Sequence, residues 1–294
     1  MSSTANRTLH ASPAVRRAVQ HADLREVWNH RSTLWLLARR DLRARYAGSM
    51  LGVMWNVIHP IIMILIYILI LGTILSRKWG GGVGSGDYAL YLCAGIIPWL
   101  VFQEIVTRCS NTMLENATLI KKVAFPEMIL HLTVALNAVL IHIISYTAFI
   151  VILCLLGTWP GVQVFFCFPL LIGIALMALG LGFLASVLNI YFRDVGQVVV
   201  VILQFLFWFT PIVYYQNLLE NAGSGRLVRL LPALMEFNPV MHFVRLSQWL
   251  FGGTTDPRAV APLSLIVVVV APIVALAVGI SVFHRFKADL LDNI

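Results

Sequence analysis

Glu104 and Arg108 stand four residues apart inside an otherwise apolar run. On a helix, positions i and i+4 share a face, so the two can pair. A lone intramembrane carboxylate would suit a proton relay, whereas one neutralised by Arg108 suits a polar stripe turned toward other helices. A second charged pair, Arg193-Asp194, interrupts the apolar sequence at "NIYFRDVGQ" (189–197). It reads either as a buried functional pair or as a turn where the chain leaves the membrane.

Little else points to chemistry. The eight histidines are scattered; His59, His131 and His142 fall in or near apolar spans, without a nucleophile beside them. Cys93, Cys109, Cys154 and Cys167 show no Cys-x-x-Cys or Cys/His ligand spacing, so neither a metal site nor a disulfide is expected. "GGGVGSG" (80–86) lacks the Gly-Lys-Ser/Thr ending of a phosphate loop and reads as a flexible connection. No catalytic residue is expected in this chain.

The elements that must position these groups follow from composition. Charged residues make up 12% of the chain, against about 25% in a soluble domain. Apolar runs of Ile, Val, Leu and Phe recur along its length, so lipid is the solvent of most of it. The expected fold is an all-α integral membrane protein with six transmembrane helices, over about 50–75, 89–114, 128–156, 164–190, 195–215 and 260–284. Residues 1–22 form a tail without an apolar core, leaving the first hydrophobic helix to direct insertion. Residues 23–49 place Leu24, Val27, Trp28, Trp35, Ala38 and Leu42 at helical spacing beside Arg39, Arg40, Arg43 and Arg45. That pattern predicts an amphipathic interface helix in the headgroup plane. The apolar segment 237–251 is too short to cross and holds Arg245 and Pro239, so a short outer re-entrant hairpin is expected between spans five and six. Residues 285–294 form a C-terminal tail.

The net charge of +8 sits mainly in the segments flanking the spans, which suits membrane lipids and leaves no nucleic-acid motif. One side of this topology carries 15 Lys and Arg, the other 6. The excess puts both termini in the cytoplasm. It also puts Arg193-Asp194 at a cytoplasmic turn between spans four and five. Between spans two and three, "ENATLIKKVAFPEM" (115–128) predicts a short amphipathic cytoplasmic helix stopped by Pro126. Its Lys121 and Lys122 serve as a topology signal, or also press into another protein. Aromatics at Trp55, Tyr67, Phe205, Trp208, Phe209 and Tyr214 read either as lipid-facing packing with an interfacial belt or as flat faces along a conduit, suited to sugar rings. Ala178, Gly182 and Ser186 keep a four-residue spacing that permits close helix contact.

Three stretches, "RDLRARYAGSMLGVMWNVIHP" (40–60), Lys-Lys-x-x-Phe-Pro (121–126) and "YFRDV" (191–195), carry a family likeness. With the order of elements, the chain resembles, over about 30–290, the permease subunit of ABC-2 polysaccharide exporters, which move O-antigen, teichoic acid and capsule. The resemblance implies a homodimer in a bacterial cytoplasmic (inner) membrane, working with two ABC ATPase subunits to export a lipid-linked glycan. ATP and Mg would be bound by those partner subunits, with no cofactor in this chain. It further implies that Asn116, Leu119, Lys121, Lys122, Phe125 and Pro126 couple to the ATPase subunit. Tyr191, Phe192, Arg193 and Asp194 become a cytoplasmic signature loop, spans one and five line the path, and the 237–251 segment resembles an outer gate. An ABC-2 permease for a drug or lipid shares this topology. A membrane-embedded glycosyltransferase should show an Asp-rich pair, which the sequence lacks.

Overall fold

The computed structural model describes residues 29–45, 47–71, 85–122, 126–216 and 226–293, and every regular element among them is helical. Helix α1 (Arg31–Ala44) is followed by a 3-10 turn (Gly52–Met54) and α2 (Trp55–Ile66), which runs on into a π-helical turn (Tyr67–Leu71). Then come α3 (Ser85–Glu115), the six-residue α4 (Ala117–Lys122) and α5 (Met128–Leu155). Helix α6 (Cys167–Tyr191) leads through a tight turn into α7 (Val195–Trp208). Helices α8 (Arg226–Met235), α9 (Pro239–Leu250) and α10 (Pro262–Asn293) complete the described chain. The first 22 residues and most of the glycine-rich connection lie outside the described residues.

Among the described residues, four stretches have the length and apolarity to cross a membrane: Tyr88–Glu115, Met128–Leu155, Val162–Tyr191 and Pro262–Phe286. They coincide with the second, third, fourth and sixth expected spans. The other two expected spans are apolar but shorter helices, Trp55–Leu69 and Val195–Trp208. The fifth was expected to run to 215, but its helix stops at Trp208. Pro211 supplies no N–H to a helix and disfavours helical geometry at Thr210. Residues 209–215 therefore continue without a regular helix.

Helix α6 sits between α10, α3 and α5. Lipid gives helices no hydrophobic reason to associate, so close backbone contact must hold them. A methyl group on Gly180 would overlap the backbone of Ala275, and one on Gly279 would overlap the Gly180 carbonyl. On the neighbouring face a methyl on Gly182 would lie 2.5 Å from Cys109 Cβ of α3. Ala178 and Ser186, one turn to either side, are also buried. Away from this seam α10 exposes Leu263, Ile266, Val269, Ile273 and Val274, the surface a lipid-facing helix requires.

Helix α9 falls within the apolar 237–251 segment that was expected to be too short to cross. Val240 through Arg245 are all buried, packed against α3, α6 and α10. Its start is specified locally: the Asn238 side chain caps the Val240 N–H and Pro239 occupies the first turn. Its end is a Schellman closure at Gly252 (φ 75°), and Gly157 (φ 76°) closes α5 the same way.

Candidate functional site

At one end of the bundle, α1 lies against α5 and turns Ala38, Asp41 and Arg45 inward. Arg39, Arg40 and Arg43 remain exposed, but Arg45 does not. Its Nη2 donates to Glu104 Oε1 at 2.5 Å. Arg108 Nη2 donates to both carboxylate oxygens of Asp41 at 2.9 Å, and Arg108 Nη1 lies 3.6 Å from Glu104. Asn137 of α5 donates to Asp41 at 2.6 Å and to the Ala38 carbonyl at 3.2 Å. Two carboxylates and two guanidiniums thus neutralise one another and tie α1 to α3 and α5. Burial pushes the Asp41 carboxyl upward, but bonding and attraction from Arg108, then Asn137 and Arg45, outweigh it and hold the group below its usual value. The Glu104–Arg108 pair expected from spacing is present; Asp41 and Arg45, its partners from α1, were read only as part of a basic surface helix.

Above this cluster a cavity of about 530 Å³ opens between α2, α3 and α5. Helix α2 packs on α5 and reaches α3 through its π-helical turn, which leaves a wedge between the two helices below. Trp55 and Tyr67, two of the six candidate channel aromatics, line it. The other four lie elsewhere. Phe205 and Trp208 are exposed on α7, and Phe209 is half-buried at its end. The Tyr214 hydroxyl donates to the Trp208 carbonyl at 2.5 Å.

The expected coupling residues follow directly from α3. Asn116 turns the chain, its carbonyl accepting from Leu119 and Ile120 N–H and its side chain donating back to Thr112. Lys121 is exposed on α4, Lys122 ends that helix, and Pro126 is buried beside Glu127. Phe125 lies outside the described residues.

Tyr191, Phe192, Arg193 and Asp194 are all exposed in the α6–α7 turn. The residue that fixes this turn is Asn189, which sequence reasoning passed over. It is buried, donates to the Ser110 carbonyl at 2.9 Å and to Asn111 Oδ1 at 3.1 Å, and accepts from Gly196 N–H at 2.9 Å. Gly196 is required by proximity, since a methyl there would come within 2.7 Å of Asn111 Oδ1. The clamp joins α6 and α7 to α3 less than two turns before α4 begins.

At the opposite end, the non-helical 209–215 segment is satisfied from other elements. The Pro211 carbonyl accepts from the Tyr91 hydroxyl (2.6 Å) and from Gln248 (3.0 Å), and the Val213 carbonyl from Tyr88 (2.5 Å). Arg245, 3% exposed, donates to Glu236 at 2.7 Å and to Gln216 at 2.8 Å. A buried guanidinium is tolerable because both partners meet it.

The chain matches the family described as ABC-2 type transporter over residues 32–251. It is 25% identical over 272 residues to the O-antigen export system permease protein RfbA of Myxococcus xanthus, covering 92% of this chain and 98% of that protein. A Klebsiella pneumoniae O-antigen export system permease protein RfbA is 26% identical over 256 residues, 86% of this chain and 92% of the relative. The polysialic acid transport protein KpsM of Escherichia coli is 23% identical over 220 residues, 74% of this chain and 80% of its own. With its helical bundle and a family match over most of its length, this chain belongs to the ABC-2 type transporter membrane family.

Proposed function

We propose that this chain is the permease subunit of an ATP-driven exporter that moves a lipid-linked polysaccharide across a bacterial cytoplasmic membrane. The observation that carries this reading is the end-to-end likeness to an O-antigen export permease, over 92% of this chain and 98% of the relative. The subunit is a transport component and not an enzyme. ATP and Mg²⁺ belong to two separate ATPase subunits in this reading, and the permease works as a homodimer.

Six crossings, with α2 and α7 completing the four long helices, place both termini and α4 on the cytoplasmic side. Helices α8 and α9 form the re-entrant outer hairpin. ATP-driven closure of the partner subunits pushes α4, and the motion reaches α2 and α7 at the dimer interface, opening a path for the glycan. The clamp from Asn189 supports this route because it bonds the α6–α7 turn to the helix that carries α4. The exposed Phe205 and Trp208 supply flat faces along that path.

Deleting the gene should remove the polysaccharide from the cell surface and accumulate its lipid-linked form inside. The wild-type gene should restore export, while Phe205→Ala and Trp208→Ala should restore it poorly at normal protein levels. An unchanged surface polysaccharide in the deletion strain would overturn the reading, and a drug-sensitivity phenotype in its place would favour a small-molecule permease.

A further inference from the structure

A second, smaller pocket of about 180 Å³ opens between α1, α3 and α5, just before α4 begins. Ligand pockets for whole small molecules start at about 300 Å³, so this one has room for a head group only. Thr112, Leu130, Thr133 and Val134 form its floor, all of them buried. Arg40 and Glu115 are exposed at its rim.

The polar part of the floor can only accept. A carbonyl cannot donate, so Thr112 and Thr133 must give their hydroxyl protons to the carbonyls of Arg108 (2.7 Å) and Ile129 (2.8 Å). Each hydroxyl keeps its lone pairs and has no proton left to give. Asn116, also in the lining, turns its NH₂ to the Thr112 carbonyl at 2.9 Å, which leaves Oδ1 for a donor. Such a set calls for a ligand rich in N–H.

The charges of the lining sum to zero, yet only half of them are paired. Asp41 and Arg108 bond to each other; Arg108 Nη1 is buried 3.6 Å from Glu104 and makes no hydrogen bond, so it still has N–H to give. Arg40 and Glu115 pair with no group among the described residues, and not with each other. A simple anion here would meet Glu115, and a simple cation would meet Arg40. One unmatched charge of each sign on a single rim fits a zwitterion.

The pocket stands where the apolar surface of the bundle ends. His131, next to Leu130 on α5, meets Phe283 of α10 edge-on at 5.4 Å. Two residues beyond Phe283 comes Arg285, the first charged residue on α10. Trp35 and Leu36, exposed on α1 beside Leu37 of the lining, suit the boundary between lipid and water. That is the depth of phospholipid head groups.

We propose that this pocket binds the head group of a phospholipid that carries a primary ammonium. The ammonium sits on the Thr112–Thr133 floor beside Glu115, and the phosphate lies at Arg40. A quaternary ammonium has no N–H and leaves the floor unmatched. The site is independent of what the chain transports.

The test is native mass spectrometry of the full-length chain in a polyoxyethylene detergent. Phosphatidylethanolamine, phosphatidylcholine or phosphatidylglycerol of the same acyl composition is added. The expected result is one retained phosphatidylethanolamine per chain, with about tenfold weaker retention of the other two, which lack the ammonium N–H. Glu115→Gln should weaken phosphatidylethanolamine about tenfold and erase its advantage over phosphatidylcholine. Arg40→Gln should weaken both lipids and leave that advantage in place. Both side chains are exposed and lie on different helices, so unfolding temperatures should not move and a failure of one variant leaves the other to decide. Equal retention of phosphatidylcholine would overturn the ammonium, and tighter retention of phosphatidylglycerol would overturn the zwitterion. Phosphoethanolamine without acyl chains, retained as well as the lipid, would overturn a lipid ligand. Wild-type retention in both variants would place the lipid elsewhere and overturn the site. Retention of no lipid, with less ATPase subunit co-purifying with Glu115→Gln, would give the pocket to a basic side chain of that partner and overturn the proposal. No step reads transport, so the export reading stands or falls separately.

Discussion

Arg108 of α3 places Nη2 2.9 Å from both carboxylate oxygens of Asp41, 67 residues earlier in the chain. Both side chains are about 30% exposed, which puts their pairing between a surface bridge and a buried one. Asp41→Asn should cost about 1–2 kcal/mol, because Arg108 and Asn137 lose their charged partner. Thermal unfolding of the purified chain in detergent would show it.

The same pair predicts an acid response. The Asp41 carboxyl is held below its usual value in the fold, so its contribution is complete above about pH 4, the ordinary aspartate value. It is lost as pH falls through the lower, folded value. The difference in unfolding temperature between wild type and Asp41→Asn should therefore stay constant from pH 8 to pH 5 and shrink only below about pH 4. A gap that closes near pH 6 would implicate a histidine.

Asn189 and its charged neighbours should behave in opposite ways. Asn189→Leu strands the Gly196 N–H and the Ser110 carbonyl, costing about 1–3 kcal/mol. Arg193→Ala and Asp194→Ala remove exposed side chains and should stay within about 0.5 kcal/mol of wild type. Thermal unfolding of the three variants side by side would rank them.

Gly279→Ala drives a methyl group into the Gly180 carbonyl. Overpacking a rigid contact commonly costs about 1–3 kcal/mol, and backbone on both sides leaves no flexible atom to yield here. Loss of the monodisperse species in fluorescence-detected size exclusion is the expected outcome. Gly173→Ala is the matched control, since its nearest neighbour is the edge of the Phe243 ring at 3.2 Å.

Lys121→Glu tests the coupling assignment. The side chain is exposed on α4, so stability and membrane level should not change. Co-purification of the ATPase subunit, or transport-linked ATP hydrolysis, should fall. Unchanged values for both would remove α4 from the contact.

What the sequence disclosed depended on how local the cause was. The long spans follow from apolar length, the end of α5 from Gly157, and the start of α9 from Asn238-Pro239. The Glu104–Arg108 pair follows from i,i+4 spacing. Asp41 and Arg45 were hidden because arginines beside a membrane have an adequate reason to face headgroups, and only the packing of α1 on α5 turns one of them inward. The break after Trp208 carried its marker in Pro211, but the groups that satisfy the unwound carbonyls, Tyr88, Tyr91 and Gln248, come from distant parts of the chain. Asn189 was overlooked for a related reason: Arg193 and Asp194 draw attention by their charge, whereas an amide clamp is visible only once α3 lies beside it.

The seam between Gly180 and Gly279 has a mechanical consequence. Two backbones in direct contact cannot slide past each other by even part of a turn without collision, so α6 and α10 behave as one keel. Motion in the bundle must be borne by elements moored through side chains. Helix α7 is held by an amide clamp at one end and by tyrosine hydroxyls just beyond the other. Helix α2 reaches α3 through a single π-helical turn. The molecule thus divides into ballast and rigging, and the wedge at α2 lies on the boundary between them.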